Sequence, residues 1–280
     1  MLRTTLCAFN GDPQMQVFEP ISEKPMTDLP DSLGSMLLQS SQQFGSRIAM
    51  TIPRNKTREE LTYSALFEQV LKVAQALWQL GVRRGDRVCL FSENCAEWAW
   101  VDWACQTLGV VLVPVYPTLP AEQAAFIAED SGAVLFIAGS DAHFERVQGA
   151  VKARLIKLLG DGESVMGLAS GDSPLTREQW LTEISLTQPS DLATIIYTSG
   201  TTGNPKGAML ENHSLVWLSR AIHASLPVDE NDTFLSWLPL AHVYERFAGH
   251  ILPISCGAKI AYAQSLATLA NDMVSCSPTI

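Results

Sequence analysis

The chain has 280 residues, 47% of them apolar and 17% charged, and its 29 acidic against 19 basic side chains give a formal net charge of −10. That length and apolar share suffice to bury a large core, which sets aside intrinsic disorder. The acidic balance sets aside a broad nucleic-acid surface and leaves room for local anion sites. Six cysteines form no CxxC pair and no Cys/His spacing suited to zinc, so they read as reduced, buried thiols of a cytoplasmic protein.

Residues 1–31 carry scattered Pro and polar residues without a period and read as an extended leader; Leu2 to Phe9 is too interrupted for a signal sequence. A helix is predicted from Ser32 to Phe44 and a strand over Ile48–Ile52, followed by a polar turn, Asn55 to Glu60. Leu66, Val70, Val73, Leu77 and Leu80 then recur at alternating intervals of four and three, an amphipathic helix that Gly81 ends as a left-handed cap.

Val88–Phe91 reads as a strand, and Asn94 as the cap of a Trp-rich helix whose Trp98, Trp100 and Trp103 belong to the core. Gly109 stops that helix before the strand Val110–Val115. The apolar run Ala96–Tyr116 is interrupted by Glu97, Asp102 and Gln106 and closed by Pro114 and Pro117, so it reads as a buried helix and strand rather than a membrane span. No transmembrane segment is expected, and peripheral membrane contact is left open. A helix at Ala121–Glu129 and a strand at Ala133–Ala138 repeat the pattern. Alternating β and α units with continuously apolar strands predict an α/β fold with parallel sheets covered by helices.

Asp141–Arg154 reads as a helix, Leu155–Leu159 as a strand, Gly160–Pro174 as a surface excursion, and Thr176 as the cap of a short helix. Pro189–Asp191 lead into a central strand. Farther on, helices are predicted over Asn212–Leu226, Arg246–Cys256 and Ser265–Cys276, the last with Leu266, Leu269, Ala270, Met273 and Val274 inward. Strands are predicted over Thr233–Leu238 and Lys259–Ala263, with Pro278–Ile280 opening another, so the chain reads as truncated inside a domain. The expected organisation is a leader at 1–31, a first α/β subdomain at 32–225 and the start of a second at 226–280, with segments free to exchange between the two.

The stretch TIIYTSGTTGNPKGAML, Thr194 to Leu210, passes from an apolar strand into Gly, Ser and Thr and then one cation. Thr198, Ser199, Thr201 and Thr202 offer hydroxyls, Gly200, Gly203 and Gly207 permit close approach or positive φ, and Lys206 supplies a compact charge. Such a loop can wrap anionic oxygens with hydroxyls and backbone N–H groups. It is not a Walker loop, because Pro205 precedes the lysine and Gly207 follows it.

YTSGTTGNPKG resembles the phosphate-loop signature of the adenylate-forming, or AMP-binding, superfamily. TYSALFEQVLKVAQALWQLGVRRGDRVCLFSEN and GVVLVPVYPTLPAEQAAFIAEDSGA resemble that family's N-terminal helices and strands. SWLPLAHVYERFAG resembles its next motif in the form typical of long-chain fatty-acyl-CoA synthetases. The resemblance implies that Thr198, Ser199, Gly200, Thr201, Thr202, Gly203 and Lys206 embrace the β- and γ-phosphates of ATP, and that His242 sits near the acyl carboxylate and the α-phosphate. It implies attack of a carboxylate on the α-phosphorus, giving acyl-AMP and pyrophosphate, followed by thioester formation with CoA. Fatty acid, ATP and CoA are the implied substrates, with Mg2+ held by ligands expected beyond residue 280.

Two departures stand against the family pattern. Glu211, Asn212 and His213 occupy the place of a Thr-His-x run, and the motifs for adenine, ribose, hinge and catalytic lysine would lie past Ile280, so this stretch alone is expected to be inactive. Glu245 and Arg246 read as pairing with each other or with solvent, and His143, His213, His223 and His250 as lacking a constellation. A ligase for another acid or acceptor, and a non-catalytic nucleotide-binding fragment, are the alternative readings.

Overall fold

The computed structural model describes residues 4–7, 15–18, 29–54, 57–198 and 205–280. Within the leader, β1 (Thr4–Cys7) pairs antiparallel with β2 (Met15–Phe18). Helix α1 (Leu33–Gln43) begins as expected at Ser32, whose hydroxyl accepts the Ser35 N–H.

Strand β3 (Ile48–Arg54) is followed by β4 (Thr57–Thr62), which lies antiparallel to it where a polar turn was expected. TREELT carries little apolar pattern. It is an edge strand whose backbone is held by the β3 ladder and by burial of Leu61, a tertiary effect that outweighs weak β-propensity. Thr62 then caps α2 (Tyr63–Gln79), whose predicted stripe is buried, and Gly81 adopts φ +91° beyond its end.

The main sheet is formed by β5 (Arg87–Phe91), β6 (Val111–Val115), β7 (Leu135–Ala138), β8 (Arg154–Lys157), β9 (Leu192–Thr198) and β10 (Lys206–Glu211). Its order is β10-β9-β6-β5-β7-β8, parallel except for β10. β9 therefore lies one strand from the edge rather than at the centre. Successive residues alternate between two cores. Val88, Leu90, Leu112, Leu135 and Ile137 face the larger one with α1, α2, α3 (Ala96–Leu108) and α7 (Arg177–Leu186). Cys89, Phe91, Val111, Val113 and Phe136 face a smaller one under α4 (Ala121–Asp130) and α5 (Asp141–Val147).

Every residue of α3 is buried, which accounts for its span-like composition. Its polar residues have partners: Glu97 meets Arg54 at 2.8 Å, and the Gln106 amide donates to Asp102 at 2.9 Å. The cap of α3 is Cys95, whose Sγ accepts the Trp98 N–H, not Asn94.

Helix α5 stops at Val147, well short of Arg154, and β8 begins at Arg154 itself. The excursion after Gly160 is packed rather than free, because α6 (Val165–Leu168) buries Val165 fully and Gln75 of α2 donates to Leu175 O at 2.8 Å. Thr176 caps α7 with a reciprocal capping box.

The second sheet has the order β11-β12-β3-β4, so it combines β11 (Thr233–Ser236) and β12 (Lys259–Tyr262) with strands from residues 48–62. It joins the larger core through Met50, Ile52, Leu61 and Ile260. Between β11 and β12 the chain forms the one-turn α9 (Val243–Glu245), a π-helical turn (Arg246–Ile251) and α10 (Leu252–Cys256), where one helix from Arg246 was expected. Gly257 closes it at φ +77°.

The last helix, α11 (Leu269–Cys276), leaves Met273 and Val274 outward, and Leu266 before it is also exposed, against expectation. It is anchored by a polar contact instead: buried Asp272 meets Arg58 at 2.5 Å and accepts from Thr268 Oγ1 and Gln264 N. Thr279 and Ile280 run beside β11, both amides donating to Thr233 O. Among the described residues, no helix is long and apolar enough to cross a membrane.

Candidate active site

Parallel strands end together, and the loops leaving their C-terminal ends collect along one edge of the sheet, the usual ligand edge of an α/β fold. At that edge the chain leaves β9 at Thr198 and returns as β10 at Lys206, and these two residues are direct partners in the ladder. Partners directly opposite in an antiparallel pair present their side chains to the same face. The hydroxyl of Thr198 and the ammonium of Lys206 are thus brought together at the mouth of a hairpin, both exposed. Lys206 makes no ion pair among the described residues. Ser199, Gly200, Thr201, Thr202, Gly203 and Asn204 lie outside the described residues.

The hairpin is rigid below its mouth. Thr194, fully buried, donates its hydroxyl to Leu112 O at 2.6 Å, tying β9 to β6. On the next face Tyr197 donates to Asp130 of α4 at 2.6 Å; burial first and then that carboxylate push the phenol well above its ordinary pKa, so it stays a neutral donor. Gly207 faces Tyr197 in the ladder and does not have positive φ. A Cβ there would lie 2.7 Å from Ile195 Cγ2 and 3.1 Å from Tyr197 Cζ. Its role is to make room for the tyrosine ring, a packing reason that the sequence pattern did not reveal.

His242 belongs to the second sheet, in the turn after β11. It is exposed, and it caps α9 through its own ring, Nδ1 accepting the Tyr244 N–H at 3.2 Å. With Nδ1 an acceptor, the neutral imidazole carries its proton on Nε2, which leaves one N–H donor for an anionic oxygen. Among the described residues, no hydrogen bond or ion pair joins His242 to Thr198 or Lys206.

The residues that follow His242 do not pair with each other. Glu245 is buried and accepts the Ser236 hydroxyl at 2.7 Å; burial pushes its carboxyl up to about 6 against that bond and the Trp237 N–H. Arg246, also buried, grips Asp102 of α3 through Nε and Nη2, each at 2.7 Å. His250 Nε2 lies 3.3 Å from the same carboxylate, between Trp98 and Trp103. Burial alone would raise the Asp102 carboxyl, but Arg246 and then His250 hold it well below the usual carboxylate range. This cluster was missed because Asp102 lies 144 residues before Arg246 in sequence, and farther still from His250. The signal available was three ionisable groups inside apolar runs, two of them, Arg246 and His250, one helical turn apart.

An ATP triphosphate suits the hairpin mouth by charge and donor type, since an ammonium without an ion pair among the described residues and a hydroxyl face one side there. The described residues contain no group of three or more His, Cys, Asp or Glu side chains that could hold a metal ion.

The family model described as AMP-binding enzyme matches residues 37–280. The chain belongs to that family. A long-chain-fatty-acid–CoA ligase, FadD15, from Mycobacterium bovis is 36% identical over 196 residues, covering 67% of this chain and 32% of that protein. A long-chain-fatty-acid–[acyl-carrier-protein] ligase, AEE15, from Arabidopsis thaliana is 28% identical over 263 residues, 84% of this chain and 35% of the relative. Among solved structures, the O-succinylbenzoate coenzyme A synthetase of Bacillus subtilis in complex with AMP superimposes with a TM-score of 0.71 at 25% identity, over 87% of this chain and 60% of that one. The chain thus spans about a third of the length of these curated relatives. The adenylate-forming α/β architecture expected from the sequence is the one observed.

Proposed function

We propose that this chain carries the phosphate-loop part of an ATP-dependent, AMP-forming ligase that activates a long-chain fatty acid and transfers it to the thiol of CoA. The observation that carries the reading is the pairing of Thr198 with Lys206 at the two ends of the Ser-Gly-Thr-Thr-Gly loop. That pairing sets an exposed cation and a hydroxyl at the base of a loop rich in donors. Charge-assisted hydrogen bonds to phosphate oxygens contribute about 1.5–3 kcal/mol each, so Thr198, Lys206 and the hydroxyls of Ser199, Thr201 and Thr202 would suffice to hold a triphosphate without a basic surface. The backbone N–H groups of Gly200 and Gly203 would add to that set.

His242 would present its Nε2–H to the oxygen shared by the acyl carboxylate and the α-phosphate during adenylation. Nucleotidyl transfer depends on positioning and charge neutralisation more than on a general base, which fits a site offering donors and a cation. Mg2+ bound with ATP would supply further neutralisation of the phosphates, through ligands contributed from beyond residue 280. Thioester formation, the subdomain division at 32–225 and 226–280 with residues 48–62 exchanged into the second, a cytoplasmic location and peripheral membrane contact are parts of the same proposal.

A carrier-protein acceptor is the second reading, favoured by the name of the Arabidopsis relative. The deciding experiment is exchange of labelled pyrophosphate into ATP, run on the protein extended through any coding sequence downstream of Ile280, with palmitate, oleate, acetate and an aryl acid. CoA or acyl carrier protein is then offered as acceptor. Exchange with the long-chain acids and release to CoA is the expected result. Exchange only with short or aryl acids overturns the acyl assignment, and no exchange with any acid overturns adenylation.

A further inference from the structure

We propose that Asn94 is the positioning residue for His242. Asn94 lies in the turn between β5 and α3, at the C-terminal edge of the main sheet, and Cys95 takes the helix cap that Asn94 would otherwise provide. Its amide is spent across the interface with the second sheet. Nδ2 donates to Leu238 O at 2.6 Å, and Oδ1 accepts the Leu240 N–H at 2.8 Å. One side chain thereby satisfies the backbone on both sides of Pro239, a residue that has no N–H and cannot extend the β11 ladder. An amide does this because it holds a donor and an acceptor a fixed distance apart, as a neighbouring strand would.

His242 follows directly from that clamp. Leu240 is fully buried, and the His242 N–H donates to Pro239 O at 2.8 Å, closing the turn that aims the ring. Downstream, the chain is fixed by the grip of Asp102 on Arg246, whose N–H donates to His242 O at 2.9 Å. The β5–α3 unit thus holds the His242 turn from both sides, and Asn94 is the part of that unit that grips the backbone just before His242, at Leu238 and Leu240. None of its described contacts reaches the Thr198–Lys206 hairpin.

The catalytic consequence rests on the adenylation reading; the placement of His242 does not. Two measurements separate them. In the chain 1–280, Asn94→Ala should speed hydrogen exchange of the Leu240 and His242 amides by about tenfold or more while leaving that of Val110, at the far end of α3, unchanged. Asn94→Asp, which keeps the acceptor and loses the donor, should fall between. Unchanged exchange at Leu240 and His242 overturns the proposal whatever the protein's activity.

In the protein extended through any coding sequence downstream of Ile280, Asn94→Ala should lower kcat for pyrophosphate exchange by about 10- to 50-fold with KM for ATP within about threefold, because the Thr198–Lys206 hairpin is untouched. In a His242→Ala background the same change should cost less than about threefold, the signature of two residues acting through one point. Full additivity overturns the proposal. Absence of exchange in the wild-type protein overturns the adenylation reading instead, and amide exchange then decides the placement of His242.

Discussion

Removing the Lys206 side chain, exposed at the start of an edge strand, breaks no ion pair among the described residues. Lys206→Ala is therefore expected to change the unfolding free energy by no more than the small range of surface substitutions, about ±0.5 kcal/mol. It should slow adenylation by about 10- to 100-fold, the loss of one charge-assisted contact to phosphate. Thermal denaturation and pyrophosphate exchange measured side by side check both halves, and unchanged exchange removes Lys206 from the site. Gly207 next to it makes the opposite prediction: a Cβ 2.7 Å from Ile195 has no room beside the Tyr197 ring. Gly207→Ala should destabilise the fold by about 1–3 kcal/mol as an overpacked site, read from urea denaturation. Glu245 adds a pH dependence. Its folded carboxyl titrates at about 6, above the ordinary value of about 4.3. The stability linked to its protonated form is therefore present below that ordinary value and lost as pH rises through 6, roughly 2 kcal/mol in all. Glu245→Gln should flatten the stability profile between those two points; an identical slope in both proteins rejects the assignment.

At the scale of elements, the joint between α3 and the π-helical turn carries the least replaceable contact. Asp102 and Arg246 are both about 2% exposed and doubly hydrogen-bonded. Asp102→Ala leaves a guanidinium buried without its partner and should cost about 3–5 kcal/mol, whereas Asp102→Leu combined with Arg246→Met should recover most of that loss. Denaturant titration of the single and double variants checks this, and equal losses in both would show that the ion pair is not what holds the joint. The same joint marks where the sequence was readable and where it was not. Helix α2 was legible because its stripe repeats at helical spacing between Thr62 and Gly81, and the strands β5, β6 and β7 because each is an unbroken apolar run. β4 was not, because Thr57–Thr62 has polar residues at an edge and is set by pairing with β3. The π-helical turn was not, because its register follows the grip of Asp102 on Arg246, a contact between residues 144 apart in sequence. The stretch Thr194–Leu210 was legible as a motif resembling that of its family, and the strand Lys206–Glu211 within it was not, since an exposed edge strand carries no alternation to read.

Over the whole molecule, the two halves of the candidate site sit on different sheets, and the sheets do not divide the chain in sequence order. β3 and β4 arise from residues 48–62, yet β3 pairs with β12 through Met50 and Ile260, and Tyr63 donates to Ala258 O at 2.7 Å from a fully buried ring. The early strands therefore have their ladder partner and part of their core in residues 226–280. A fragment 32–225 would keep the Thr198–Lys206 hairpin but leave the β12-facing edge of β3 unpaired and Tyr63 and Met50 without their partners. Unpaired edges and uncovered apolar faces drive association. That fragment is expected to bind a hydrophobic dye, to self-associate on gel filtration and to unfold without a sharp transition, while chain 29–280 unfolds cooperatively. A monomeric, cooperatively unfolding 32–225 would show that the main sheet and its helices are self-sufficient. The clamp of Asn94 on the His242 turn would then join two independent bodies rather than parts of one core.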